Sequence, residues 1–390
     1  MSKSVTLKKN EHHRIVSGHL WAFSNEIAAT GGEPGPGDLV RLLSSSGQFL
    51  GIGTYNPHSL IAVRLLTRTD EEIGFQYFRK RIETALALRR KLYANSETFR
   101  LVHGESDFLP GLVIDKYNDL LTVQTFSCGM DRRLTLICDV LESVVHPRGI
   151  VERNESAARS LESLESRKGV LRGEAGPVTI SEFGLKYEVD LLEGQKTGFF
   201  LDQRENRRSI RRYATGGSVL DCFCNDGGFA LNAAFAGASE VLGVDISDPA
   251  IGRARRNSTL NSLQERVRFE TSDGFDFLPA CADRGSSFDL VILDPPSFTK
   301  SKRTVSSGVR GYRQIHLAAF RLLKPGGILA TASCSHHLYD DKFLEIVADA
   351  AQKSGRRMTL LEWRGAAPDH PVLPAMPETR YLKFGIFSVE

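Results

Sequence analysis

The stretch Val219-Leu220-Asp221-Cys222-Phe223-Cys224-Asn225-Asp226-Gly227-Gly228-Phe229 decides how the C-terminal half of this chain folds. Residues 218–221 read as an apolar strand that ends on a carboxylate. Residues 227–236 read as a helix, and a turn of small residues joins the two. The pattern repeats outward from there. Residues 240–245 predict a strand and 249–262 a helix, and 267–271, 290–293 and 328–333 predict further strands. Strands alternating with helices imply a parallel sheet covered on both faces, so residues 180–390 are assigned to a doubly wound α/β domain. Ligands of such sheets bind beyond the carboxyl ends of the strands, near the point where strand order reverses.

Upstream the pattern differs. Residues 39–43, 49–55 and 61–66 are β-type runs separated at 44–47 and 56–59, and the glycine- and proline-rich residues 31–37 fit neither helix nor strand. With the aromatic-rich segment 18–26 before them, they form a small β-barrel-like module over residues 1–68. Residues 69–179 make a central α+β domain. It has a helix at 74–94, strands at 111–117 and 120–126, a helical pattern between Cys128 and Cys138, and a strand at 150–153. The polar stretch 154–168 is helix or loop.

Hydrophobic residues make up 41% and charged residues 25% of the 390, a profile that supports buried cores. No apolar run approaches the ~20 residues of a membrane span, and no signal peptide opens the sequence. A cytoplasmic protein without a membrane partner is expected. The net charge of +3, from 50 basic and 47 acidic residues, does not by itself announce a nucleic-acid binder. The basic residues are nevertheless bunched: Arg79-Lys80-Arg81 and Arg89-Arg90-Lys91, then Arg204, Arg207, Arg208, Arg211 and Arg212, then Lys300, Lys302 and Arg303. Each cluster is either a set of phosphate contacts or a solvated helix face. Cysteines 128, 138, 222, 224, 281 and 334 have no zinc-like spacing, so reduced thiols and no metal site are expected.

The turn after Asp221 lacks the G-x-G-x-x-G pattern of dinucleotide binders and the lysine of a phosphate-gripping loop. Asp245, ending the second strand, can accept hydrogen bonds from two ribose hydroxyls, although a helix-capping role competes with this. Asp273-Gly274 follows the third strand, where a carboxylate can reach an adenine amino group. Asp294-Pro295-Pro296-Ser297-Phe298 follows the fourth. Four acids thus close four successive strands. An acidic, phosphate-free pocket suits S-adenosylmethionine, with its ammonium and sulfonium charges, better than NAD. The predicted cofactor-binding set is Asp221, Phe223, Asn225, Gly227, Asp245, Ile246, Asp273, Gly274 and Asp294. Cys334, in Ser333-Cys334-Ser335, sits at the carboxyl edge of a later strand. A lone cysteine is more often a packing residue than a nucleophile, but this position favours the second role.

The chain resembles the bacterial ribosomal RNA large subunit methyltransferase I family along its whole length. The matching segments are 18–26, the string Asp107-Phe108-Leu109-Pro110-Gly111-Leu112-Val113-Ile114-Asp115, residues 194–204, 221–229, 294–298 and 333–335. Lys196-Thr197-Gly198-Phe199-Phe200-Leu201-Asp202-Gln203-Arg204 is the most specific of them. The resemblance implies an N-terminal PUA domain, a central domain peculiar to the family and a C-terminal Rossmann-like methyltransferase domain. It also implies that Gln203 helps close the cofactor pocket, and that the reaction is cytosine-5 methylation of 23S ribosomal RNA. The family commonly has Tyr-Thr-Gly-Gly where this chain has Asn225-Asp226-Gly227-Gly228, which adds an acid and keeps the glycines.

That activity needs a nucleophile, because cytosine C5 is unreactive in the aromatic ring. A Cys334 thiolate adding to C6 activates C5, and a protonated Asp294 can hold the N3 edge. The target base has to leave its stack, so a single-stranded or loop cytosine is expected. Three readings compete: methyl transfer to a guanine nitrogen, which the Asp-Pro-Pro motif also permits, a non-catalytic RNA-binding assembly factor, and a small-molecule methyltransferase. A homodimer is left open, since no residue pattern bears on it.

Overall fold

The strand–helix alternation becomes a seven-stranded sheet in the computed structural model, which describes residues 3–194, 197–299 and 302–390. Gln195, Lys196 and Lys300, singled out above, lie outside the described residues, as does the side chain of Lys302. The strands are β1 (Ser218–Cys222), β2 (Glu240–Asp245), β3 (Val267–Thr271), β4 (Phe288–Leu293), β5 (Leu323–Ser333), β6 (Met358–Arg364) and β7 (Lys383–Val389). They lie in the order β3-β2-β1-β4-β5-β7-β6. β1 to β5 are mutually parallel. β7 runs antiparallel to both its neighbours, which corrects the expectation of a wholly parallel sheet. No α-helix separates β6 from β7, and an antiparallel return needs no crossover helix.

Helices α1 (Gly228–Phe235), α2 (Asp248–Leu260), α3 (Gly274–Asp283), α4 (Val305–Leu322) and α5 (Asp340–Lys353) connect the strands. Leu220, Val291, Leu293, Ile315, Phe320, Phe343 and Phe387 are buried together between the sheet and its helices. Each such side chain contributes roughly 1.5–3 kcal/mol by leaving water. Strand order reverses between β1 and β4, so the functional rim is expected at their C-terminal ends.

The chain divides into two compact units: residues 1–180, 189–201 and 368–379 form one, and 181–188, 202–367 and 380–390 the other. The second holds the sheet just described. The first contains a six-stranded sheet from strands between Ser4 and Thr67 and a five-stranded sheet from strands between Thr98 and Gly173. Helix Phe75–Leu92 places Phe78, Ile82 and Leu86 in one core with Leu101, Ile114 and Val123. Gly31, expected in a loop, instead ends the strand Ile27–Gly31, and the polar stretch after Asn154 contains a 3-10 turn and the start of strand Arg167–Gly173.

Two basic clusters each contribute buried arginines to the fold. Arg89 is fully buried and grips Asp107 with two bonds of 2.5 and 2.7 Å. Arg207 is buried and grips Glu182 at 2.8 and 2.7 Å, and Arg204 is buried beside them. Arg211 donates to Asn232 at 2.7 Å. As phosphate contacts, Arg89, Arg204 and Arg207 are corrected: a buried guanidinium needs its fixed carboxylate and cannot turn to solvent.

Candidate active site

Asp221 is the penultimate residue of β1 and is fully buried. Its Oδ2 accepts the Ala230 N–H from α1 at 2.8 Å, and its Oδ1 meets no hydrogen-bond partner among the described residues. Burial pushes this carboxyl up to about 8, and the nearby Asp294 and Asp245 charges act in the same direction. Asp245, on the neighbouring β2, is oriented by two backbone donors: Asn225 N–H at 2.9 Å and Ser247 N–H at 3.0 Å. The helix-capping role belongs to Ser247, whose hydroxyl accepts from Ala250 N. Asp273 does cap a helix, accepting the Phe275 N–H at 2.7 Å.

The turn between β1 and α1 is tight. Phe223 and Asn225 take φ of 70° and 46°, conformations that bulky residues rarely adopt, and Gly227 follows at 80°. A Cβ at Gly227 would stand 2.9 Å from the Phe269 ring. The Phe223 and Cys224 N–H groups both donate to Val244 O, tying the turn to β2. Asn225 Oδ1 is buried without a partner among the described residues. Gly274 makes room for the Phe223 ring, which a Cβ would approach to 2.6 Å. Ile246, beside Asp245, is 66% exposed, a bare aliphatic face at the rim. Asp226, the extra acid, is buried and paired with Arg253 at 2.8 Å, so its charge is met within the fold.

Asp294 follows β4. Gln203 Nε2 donates to its Oδ2 at 3.0 Å, while Gln203 Oε1 accepts from Asn206 at 2.7 Å. Asn206 in turn donates to Gly365 O at 3.0 Å, so the amide chain holds the Asp294 carboxylate in one orientation.

Among the described residues five cysteines are buried, and Cys334 is partly exposed. It follows β5, the neighbour of β4, between two buried serines. The Tyr312 hydroxyl from α4 donates to Ser333 Oγ at 2.9 Å and shares a hydrogen bond with Ser335 Oγ at 3.1 Å. Ser297 Oγ reaches Ser335 Oγ at 3.0 Å, joining the Asp-Pro-Pro segment to the same cluster. Lys383 is buried and donates to Ser335 O at 2.8 Å and Tyr381 O at 2.7 Å. Burial pushes its ammonium down to about 8, opposed by the Asp340 and Cys334 charges. His336 is exposed, its ring 5.5 Å from that of Tyr381. Rings of Phe223, Phe275, Phe298 and Tyr312 form a continuous run beneath this edge, with successive centroids 6.4, 5.4 and 4.7 Å apart.

In sheet order the rim therefore reads Asp273, Asp245, Asp221, Asp294, Cys334. Register sets Asp221 level with Ile292 and Ala330, so Cys334 lies two strands across from Asp221 and further toward the carboxyl side. Tyr312 and Lys383 join the cluster although sequence reasoning passed over both. A lysine opening the apolar run Lys383-Phe384-Gly385-Ile386-Phe387 was the one available signal for Lys383. Two buried oxygens without partners and an exposed aliphatic rim fit a ligand with an ammonium, ribose hydroxyls and an adenine.

The model for PUA-like domains matches residues 5–68, and the model for S-adenosylmethionine-dependent methyltransferases matches residues 165–377. The curated protein "Ribosomal RNA large subunit methyltransferase I" of Tolumonas auensis is 41% identical over 98% of both chains, and that of Photobacterium profundum 40% over the same share. Among solved structures, a SAM-dependent methyltransferase from Streptococcus mutans superposes with a TM-score of 0.85 at 21% identity, over all of both chains. A methyltransferase complexed with SAH does so at 0.86 and 21%, again over all of both chains. These two show the shared fold. With an N-terminal PUA-like domain and a C-terminal S-adenosylmethionine-dependent methyltransferase domain, the chain belongs to the ribosomal RNA large subunit methyltransferase I family.

Proposed function

We propose that this enzyme methylates C5 of an unstacked cytosine in 23S ribosomal RNA, in the cytoplasm, through a covalent adduct at Cys334. The observation that carries this reading is the partly exposed Cys334 thiol on the strand next to Asp294, at the rim of the acidic pocket. The relatives' name supplies the substrate class. Residues 1–68 and 69–179 serve as PUA-like and central RNA-gripping domains, and residues 180–390 perform the chemistry. The reading requires no homodimer.

Asp221 takes the cofactor's ammonium, Asp245 its ribose hydroxyls, and Asp273 its adenine amino group. Phe223, Asn225, Gly227, Ile246 and Gly274 shape the walls, with Gln203 holding Asp294 in place. Bound S-adenosylmethionine supplies an electrophilic methyl group on a sulfonium. The Cys334 thiolate adds to cytosine C6, and the displaced electron pair makes C5 nucleophilic. C5 forms its bond to the methyl carbon as the methyl–sulfur bond breaks, releasing S-adenosylhomocysteine. Loss of the C5 proton to a base then expels the thiolate and restores the ring. Asp294, protonated, donates to N3 and stabilises the adduct. Free cysteine has a pKa of about 8.5, so the thiolate needs support, and the buried Lys383 ammonium provides positive charge beside it.

The test is methyl transfer to 23S RNA from cells lacking the enzyme, read by nucleoside mass spectrometry. 5-Methylcytosine that disappears with Cys334→Ala, while cofactor binding persists, is the expected result. A methylated guanine, or near-normal turnover by the variant, overturns the covalent reading. Cofactor binding with no product on any RNA would favour an assembly factor.

A further inference from the structure

A cavity of about 330 Å³ lies in the first unit, between strand Ile61–Thr67, helix Phe75–Leu92 and the segment around Phe108. Its lining combines three cations, Arg68, Lys80 and Arg81, with the rings of Tyr77 and Phe108 and one acid, Glu71. The Lys80 and Arg81 charges act on Glu71 without a close ion pair. Among the described residues none of them has a carboxylate within 4.0 Å, whereas the adjacent Arg79 is taken by Glu83 at 2.9 Å. Arg68 makes one long bond, to His19 O at 3.4 Å. The Arg81 guanidinium lies 5.2 Å from the Phe108 ring centroid and 5.4 Å from that of Tyr77.

Phe108 is the unusual member. It caps the 3-10 turn Gly104–Asp107 in the left-handed region, at φ 58° and ψ 31°. Glycine or asparagine ordinarily fills such a position, and a bulky residue there is strained. Packing does not demand the ring, which is 40% exposed. The backbone around it is firmly held: Tyr77 donates to Phe108 O and Leu66 O, and Asp107, gripped by Arg89, accepts from His103 N. Strain kept in a rigid frame to display an aromatic ring beside cations that have no close carboxylate matches what an unstacked nucleotide requires: a stacking surface and a phosphate grip. Glu71 adds selectivity. The Thr67 and Thr69 hydroxyls donate to it at 2.5 and 2.6 Å and hold its carboxyl below the usual range, leaving an acceptor for a base amino group.

We infer that this cavity binds one unstacked nucleotide of the RNA substrate, its base against Phe108 and Arg81, its phosphate on Arg68 and Lys80, and an exocyclic amine toward Glu71. The inference rests on the RNA reading above and adds an RNA contact on the unit that does not carry the acidic rim.

The experiment measures binding of the full-length protein to a 23S RNA fragment that it methylates, across a salt series, with AMP and CMP as free-nucleotide probes. Arg68→Gln with Lys80→Gln is expected to weaken RNA binding and to reduce the slope of log affinity against log salt by about 0.7 per lost phosphate contact. Phe108→Asn, which tolerates the left-handed backbone, is expected to weaken it roughly ten-fold or more through lost stacking. Thermal melting and S-adenosylhomocysteine affinity report that each variant is folded. Methylation-competent wild type with unchanged RNA affinity and salt slope in both variants overturns the cavity reading alone. Wild type that neither binds nor methylates RNA overturns the function and the cavity together. AMP or CMP binding more tightly than the RNA fragment overturns the assignment to RNA in favour of a free nucleotide.

Discussion

Replacing Asp221 by asparagine isolates one consequence of burying a carboxyl without a second partner. With its pKa raised to about 8, Asp221 holds its proton in roughly ten of eleven ligand-free molecules at pH 7. If the cofactor's ammonium binds the carboxylate, each molecule first gives up that proton, at a cost of about 1.4 kcal/mol at pH 7 and twice that at pH 6. Affinity for S-adenosylhomocysteine, which has the same ammonium, should rise about ten-fold per unit between pH 6 and 7.5. It bends over near pH 8, where Asp221 is ionised and the ligand's amine starts to lose its charge. Titration calorimetry in buffers of different ionisation enthalpy should find close to one proton released per ligand at pH 6.5. In Asp221→Asn the slope and the proton release both vanish, and the affinity lost relative to wild type is largest near pH 8 and shrinks toward pH 6. Stability of the ligand-free protein gives a second reading. A carboxyl whose folded pKa lies above its unfolded value is ionised in the unfolded chain from about pH 4, and in the folded chain only near 8. Wild-type stability therefore falls relative to Asp221→Asn as pH rises from 4 to 8. A flat affinity from pH 6 to 8 without proton release, or a slope that survives in Asp221→Asn, refutes the reasoning.

Three further outcomes are expected. Tyr312→Phe leaves the buried Ser333 and Ser335 hydroxyls short of a partner; denaturant melts should show a loss of about 1–2 kcal/mol, and turnover should fall with cofactor affinity unchanged. Gly274→Ala drives a methyl group into the Phe223 ring, so calorimetry should show weaker cofactor binding and melting a loss of about 1–3 kcal/mol. Lys383→Met removes the cation beside Cys334 and should move the alkaline rise of the pH–rate profile upward by roughly one unit, while an unmoved profile assigns Lys383 to structure alone.

What could be read in advance follows from burial. β1, β2 and β4 are covered on both faces, so they appear in sequence as short apolar runs, and the acids that end them stand out by contrast. β6 and β7 lack that contrast. Met358-Thr359-Leu360-Leu361-Glu362-Trp363-Arg364 is a half-exposed edge strand with two charges, and β7 opens on a buried lysine. Neither reads as a strand until its neighbour is known. Lys383 was hard to read for the same reason, because sheet register sets it opposite Ser333, and Tyr312 reaches the same serines from helix α4. Arg204 and Arg207 were ambiguous because their partner Glu182 lies on a distant hairpin strand. Asp226 stood out in sequence only as an added acid in the turn, and nothing there announced its partner Arg253.

The contrast among the cysteines has a practical use. Cys128, Cys138, Cys222, Cys224 and Cys281 are at most 7% exposed, and burial pushes the Cys222 and Cys224 thiols well above their ordinary range. Thiolates react with maleimides and iodoacetamides, and thiols do not, so the folded protein offers such reagents a single address at Cys334. No cysteine has to be engineered in or out. Protection of Cys334 from labelling on adding RNA would time the arrival of a base at that thiol directly.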